Sequence, residues 1–461
     1  MAELLIEGQH LITGDGSTDA PGWVEIDGGS ITAVGPGAAG PARRDAADEH
    51  LDVGSSAVMP GFINAHTHLF QTFLRGLRDD LEHSEWNGRV IGDNVGRLTE
   101  EDFYLAALLG SVESLLAGYT TVVDNHYVHT SPKNTDRVAE ALTESGLRAW
   151  VARGTIDQHD VLARTTGLAA ATANTESIDH ALAELDRIAG NWHDTSGGRI
   201  RVSAALQAAW AASPLLIERL VQFADENDLL LHAHCAETLT SDQRSRELHG
   251  CSEIEALHRS GFLRAGSQLV HGVWLDERGA QLAGDHHCGV VHCPVSNGYL
   301  ASGVAPLAML REHGVPIALA ADGSASNHRQ DPFEAMKVAT LMQRATHRSA
   351  RMLLPGDALD MAWRGGAEVL GMQGRLGVLA PGAHADVVVV DLDRPHVQPM
   401  HNLASALVFC TMPSDVRHVV VDGRIVVRDR VVTTVDVPAL LRRCRDRIAV
   451  LGLSGYRSTE V

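Results

Sequence analysis

Along the chain, short apolar runs rich in Val, Ile and Ala alternate with longer stretches whose apolar positions recur every three to four residues. The runs read as strands: "AVMPGFINAH" ending at His66, "TTVVDNHY" from Thr120 to Tyr127, "RAWVARGTI" from Arg148 and "RIRVSAALQ" from Arg199. Four more follow: "LLLHAH" ending at His234, "SQLVHG" containing His271, "GVVHC" ending at Cys293 and "PIALAAD" ending at Asp322. Helical patterns separate most of them, such as "EDFYLAALLGSVESLLAG" from Glu101 and "PLLIERLVQFADEN" from Pro214. Thr99 before Glu101 and Asp102 supplies a helix start, and Gly118 a stop. Eight alternating units predict an α/β fold, a (β/α)8 TIM barrel over residues 58–380. An open doubly wound sheet has the same periodicity, so the placement of chemistry-bearing residues has to decide between them.

The flanks carry a different pattern. Residues 1–57 hold short β-like pieces with Gly turns, as in "WVEIDGGSITAVG". Residues 381–461 resume it in "HADVVVVDLD" and "VRHVVVDGRIVVRD", before a last helix near Pro438 to Val450. Two β-rich ends bracketing a barrel predict one small β-sandwich built from both termini.

Composition narrows the function. The 461 residues are 44% hydrophobic and 21% charged, as in an ordinary globular protein. A net charge of −20 disfavours nucleic acid and anionic membrane surfaces as partners. Cys235, Cys251, Cys288, Cys293, Cys410 and Cys444 are scattered without a CxxC, which suggests free thiols in a reducing compartment. The start "MAELLIEGQH" lacks a basic segment followed by an apolar one, so a cytoplasmic location is expected.

The chemistry begins at "FINAHTHLF", Phe62 to Phe70. With 25 His in the chain, roughly one His-x-His pair is expected by chance, so His66 and His68 need company. They have it at other predicted strand ends: His234, His271 and Asp322, with Glu237 three residues after His234. In a (β/α)8 barrel these ends converge on one mouth. Three imidazoles and a carboxylate suit one divalent metal ion, Zn²⁺ first and Fe²⁺ second. Such an ion lowers the pKa of bound water toward neutrality. Glu237 is placed to take that water's proton and pass it on, although a carboxylate at a helix start is also explained by the helix dipole. His271 can hydrogen-bond the water or a developing oxyanion, and Asp322 can both ligate and accept a proton.

The segments "PGFINAHTHLFQTFLRG", "HAHCAET", "VHGVWLD", "HCPVSNGYLASGVAPLAMLREHGVPIALAADGSASN" and "ADVVVVDLDRPHVQPMHNLASALVFC" together resemble the amidohydrolase superfamily across essentially the whole chain. More narrowly, the chain looks like the mononuclear-metal branch of heterocycle aminohydrolases, which includes 8-oxoguanine and adenosylhomocysteine deaminases and triazine hydrolases. The absence of Lys from the third and fourth predicted strands agrees with a single metal. The resemblance implies His66, His68, His234 and Asp322 as metal ligands, with Glu237 and His271 transferring protons and orienting water. It also implies hydrolytic deamination of an amino-substituted purine-, pyrimidine- or triazine-like base. Dechlorination or dealkylamination of a triazine-type ring is the alternative within hydrolases. A non-catalytic relative without metal is the alternative outside them.

Two departures bear on the substrate. "LQAAW", Leu206 to Trp210, stands where adenosylhomocysteine-type deaminases carry Pro-His-x-Pro-Tyr, and Val95 stands where they place a ribose-binding Glu. Both point away from a nucleoside, while "VDNHY" and Gln71 resemble the members that take rings without sugar. Gln71, Trp86, His126, Gln207 and Asn297 are the candidate substrate contacts, each with a structural role as the competing explanation. His292 reads as core or support for the site, His286 and His287 as solvated, and Cys235 as packing. The expected partner is a small heterocyclic molecule, with self-association into a dimer or larger homo-oligomer expected from fold-level analogy.

Overall fold

The computed structural model describes residues 2–15, 19–453 and 455. Eight parallel strands form one sheet in strict chain order: Phe62–Thr67, Tyr119–His126, Arg148–Thr155, Ile200–Leu206, Leu231–Cys235, Ser267–His271, Gly289–His292 and Ile317–Leu319. Nearly every residue of these strands is buried, as required when helices cover one face and the barrel interior fills the other. The ends of the sheet meet. The Asp322 N–H donates to the His66 carbonyl at 3.1 Å, and the Ala321 N–H donates to Asn64 Oδ1 at 2.9 Å. Thr67 Oγ1 donates to the Asp322 carbonyl at 2.9 Å. These bonds join the eighth strand's extension to the first strand, so the fold is a (β/α)8 barrel and not an open sheet.

Two expected strands differ in extent. "AVMPGFINAH" is two strands, because Ala57–Pro60 pairs with Val387–Val390 outside the barrel and only Phe62–Thr67 enters it. Gly61 makes the crossing possible: a Cβ there would sit 2.1 Å from Thr120 Oγ1. The eighth strand stops at Leu319, three residues short of Asp322, whose φ of +66° ends the extended run.

The helices start where their caps lie. Thr99 and Asp102 form a capping box on Glu100–Leu116, and Ser213 caps Pro214–Glu226. Asp102 also receives Arg447 Nε and Nη2 at 2.7 and 2.8 Å, which fastens the last helix, Val437–Leu451, against the barrel. No helix among the described residues is long and apolar enough to cross a membrane.

The termini build the second unit as a nine-stranded sheet. Leu4–Leu11, Ala20–Asp27, Ser30–Pro36, Glu49–Asp52 and Ala57–Pro60 come from the N-terminal part. Val387–Val390, Val416–Val421, Arg424–Arg428 and Val431–Val432 come from the C-terminal part. Inward residues of both parts, including Ile6, Val24, Ile26, Val58, Val387 and Val389, share one apolar cluster. Arg148, on the third barrel strand and 1% exposed, reaches Asp386 and Asp422 at 3.0 Å each and ties the two units together.

Candidate active site

The C-terminal ends of the barrel strands bring the predicted ligands to one place. His66 Nε2 and His68 Nε2 lie 3.2 Å apart, and Asp322 Oδ1 lies 3.5 Å from each. The state of both rings follows from their other nitrogens. His68 Nδ1 donates to the Asn125 carbonyl at 2.6 Å, so its Nε2 carries a lone pair.

His66 is oriented through a longer chain. Gln268 Nε2 donates to the Val369 carbonyl at 3.2 Å, which turns Gln268 Oε1 toward His232 Nδ1 at 2.7 Å. His232 therefore donates from Nδ1 and accepts at Nε2, where His66 Nδ1 donates at 2.9 Å. That leaves His66 Nε2 with a lone pair too. Burial lowers the pKa of His66, His68 and His234, most strongly for His66 and His234, and keeps these imidazoles neutral. Two lone pairs and a carboxylate oxygen facing one another repel unless a cation lies between them. The donor set fits one divalent cation. His234 stands beside this group, its ring 4.8 Å from that of His66 and stacked on that of His68 at 5.3 Å. Its buried Nδ1 has no hydrogen-bond partner among the described residues. His66 belongs to two clusters of potential ligands, one with His68 and Asp322 and one with His234 and His271.

The acid/base pair sits across the same space. After His234 the backbone turns through Ala236 at φ +52°, a conformation unfavourable for a non-Gly residue. The turn is held from both sides: Glu253 Oε1 accepts the Ala236 N–H at 3.3 Å, and the Trp274 N–H donates to the Ala236 carbonyl at 2.8 Å. Glu237 is thereby carried into the site. Burial acts to raise its pKa, but the charges of His271 and His83 and a hydrogen bond from His83 outweigh it and bring the carboxyl down to about 2. His271, also at positive φ (+74°), donates from Nδ1 to Asn297 Oδ1 at 2.9 Å and points Nε2 at Glu237 Oε2, 3.6 Å away.

His68, His234, Glu237, His271 and Asp322 line a cavity of ≈ 50 Å³, with His66 fully buried beneath them. Gln71, Trp86 and Gln207 line it as well. Gln71 Nε2 donates to Tyr127 Oη at 3.1 Å, while Gln71 Oε1 and Gln207 Oε1 are buried without hydrogen-bond partners among the described residues. Trp86 Nε1 donates to the Ala325 carbonyl at 3.2 Å, which fixes its ring as a wall. Ala208 and Trp210 of "LQAAW" also face the cavity, whereas Val95 is wholly buried in the apolar core.

His126 and Asn297 do not stand where substrate contacts were expected. The His126 ring packs edge-on against Phe70 and Phe103, outside the cavity lining, because strand alternation turns it toward the helix layer. Its neighbour Tyr127 reaches the cavity instead. Asn297 supports His271 from behind. Sequence reasoning passed over His83, Tyr127 and His232. Only His232 carried a signal: it lies two residues before His234 on one strand, and so on the same face.

Comparison with known proteins agrees with this architecture. The sequence model of the Amidohydrolase family matches residues 57–426. The 5-methylthioadenosine/S-adenosylhomocysteine deaminase of Desulforudis audaxviator is 35% identical over 440 residues, covering 95% of this chain and 97% of that protein. The zinc-bound crystal structure of an adenosine deaminase from Xanthomonas campestris superposes with a TM-score of 0.86 at 29% identity, covering 97% of this chain and 99% of the other. The zinc complex of atrazine chlorohydrolase from Arthrobacter aurescens shares the fold with a TM-score of 0.88 at 24% identity, covering 96% and 100%. From the matched family model and the near full-length relatives, the chain belongs to the amidohydrolase family.

Proposed function

We propose that the protein is a metal-dependent aminohydrolase that replaces the amino group of a nitrogen heterocycle with oxygen and releases ammonia. The observation that carries this reading is the shared cavity: the His66–His68–Asp322 donors and the Glu237–His271 pair face the same small space. The relatives named above, deaminases of adenosine-type molecules, support the reaction class.

His66, His68, His234 and Asp322 are read as the residues that hold the ion. Zn²⁺ is favoured by the nitrogen-rich donor set and by the zinc named in the Xanthomonas structure. When bound, a divalent cation supplies the charge that makes water a nucleophile near neutral pH. Glu237, ionised at neutral pH, accepts the attacking water's proton and delivers it to a ring nitrogen, then passes a second proton to the departing amine. His271, anchored through Nδ1 on Asn297, points Nε2 at Glu237 across the same space and orients the water there. Gln71 Oε1 and Gln207 Oε1, both unpartnered, are acceptors for the amino group and ring N–H of a substrate, and Trp86 offers an apolar wall to its flat face. The six cysteines are all free, in keeping with a reducing, cytoplasmic setting.

The test is ammonia release by zinc-loaded protein from guanine, 8-oxoguanine, isocytosine, pterin, melamine, adenosine and adenosylhomocysteine. Release from any member supports the reading, and the comparison of free bases with nucleosides sets the substrate's size. Silence across the panel with zinc bound would overturn it and favour a different leaving group.

A further inference from the structure

One residue facing the cavity belongs to no strand end and to no motif quoted above. His83 opens the short helix His83–Trp86, in the connection between the first two barrel strands. Its Nε2 lies 3.2 Å from Glu237 Oε2, closer to that carboxylate than His271 is at 3.6 Å. Its ring lies near-parallel to that of Trp86 at a centroid distance of 6.4 Å and a 28° angle. Its location is a neck: His83 and Leu300 line both the inner cavity and an outer vestibule of ≈ 730 Å³. The inner space alone is well below the roughly 300–1,000 Å³ usual for ligand pockets, so a heterocycle has to draw on room at this neck. A side chain at the neck that also holds the acid/base carboxylate touches both entry and chemistry.

We propose that His83 is a positioning residue for the reaction, holding the Glu237 carboxylate toward the cavity at the neck through which substrate enters. This rests on the aminohydrolase reading for its consequence on turnover, though not for the contact itself. Glu237 has two oxygens and has to exchange protons with water and substrate. A donor on Oε2 limits its rotation and keeps it ionised between proton transfers. The charged and titratable groups around His83 are Glu237, Asp322, Glu253, His68, His234 and His271 on the barrel side and Asp80, Glu82 and Glu85 on its own segment, with Arg164 and Arg244 across the vestibule. Of these, Glu237 acts on the imidazole most strongly, through both charge and a hydrogen bond.

The experiment has two arms. In the first, ¹⁵N-histidine NMR of the zinc-loaded protein follows the His83 resonance, identified by its loss in His83→Phe, in wild type and in Glu237→Gln. Removing the carboxylate should lower the His83 titration midpoint, whereas an unchanged midpoint would overturn the contact. The second arm measures turnover on whichever substrate the panel identifies. His83→Phe should lose at least about tenfold in kcat with KM within roughly threefold and zinc content unchanged, and His83→Gln, which keeps a donor, should recover part of the loss. Equal kcat in all three proteins, or a loss confined to KM, would overturn the positioning role. A protein silent on the whole panel but showing the NMR shift keeps the contact and rejects the aminohydrolase reading instead.

Discussion

His66 Nδ1 and His232 Nε2 lie 2.9 Å apart, joining the first barrel strand to the fifth beneath the donor cluster. Because His232 spends its one N–H, at Nδ1, on Gln268, its Nε2 is left to accept from His66 Nδ1, and this one contact decides which nitrogen of His66 is free to bind a cation. Partners in that position orient a ligand and raise its basicity. His232→Phe should therefore weaken zinc binding by about 10–100-fold while leaving the fold intact, measured by competition with a chromophoric chelator. Unchanged affinity would show that His66 finds its tautomer without help.

Removal of a donor has a larger expected effect. His66→Ala and Asp322→Asn should each bring zinc content, read by plasma mass spectrometry, from about one ion per chain to a small fraction of that. A chelator should lower the melting temperature of wild type and leave both variants unaffected, because only the folded donor cluster binds the ion.

Glu237→Gln separates holding the metal from moving protons. The amide keeps the volume and loses the base, so zinc content should match wild type while kcat falls by roughly 10²–10⁴-fold. A variant that turns over normally would remove Glu237 from the mechanism.

Glu253 lies behind the Ala236 turn, 1% exposed, and burial pushes its carboxyl from 4.5 up to about 8. Folding therefore favours the protonated form. The resulting stability is fully present below the unfolded pKa of 4.5 and is lost as pH rises through about 8. Glu253→Gln is neutral throughout, so its stability relative to wild type should rise steadily from pH 5 to pH 9, by an amount on the order of a few kcal/mol. Urea midpoints at several pH values read this directly. Parallel curves for the two proteins would show that Glu253 is not buried in its neutral form.

Arg148 tests the junction of barrel and terminal sheet. Replacing it with Met leaves Asp386 and part of Asp422 without their counter-ion in a buried setting, which should cost about 3–5 kcal/mol of stability. The proposed metal site lies at the opposite ends of the strands, so zinc content of the folded protein should not change.

Much of this protein is legible along its sequence because its signals are local. Strand and helix periods, the Thr99–Asp102 capping box, and a histidine or carboxylate at the ends of several apolar runs depend only on neighbours a few residues apart. Once eight such runs are read as a barrel, His66, His68, His234, Glu237, His271 and Asp322 are expected at one mouth from the sequence alone. The break at Gly61 was not legible, because "AVMPGFINAH" is uniformly apolar and only pairing with Val387–Val390 divides it.

What tertiary structure decided is which side chains touch across elements. His126 and Tyr127 are adjacent in sequence, and the phase of the strand's pleat alone sends one into the helix layer and the other into the cavity. Asn297 reads as a pocket residue until His271 turns its Nδ1 onto it. His83 stands 154 positions from Glu237 and 3.2 Å from it, a contact made only when the connection after the first strand folds back over the mouth. Sequence specifies where each strand ends because that is set by nearest neighbours. The proton network depends on ring orientations, and those exist only after closure of the barrel fixes every partner at hydrogen-bond distance.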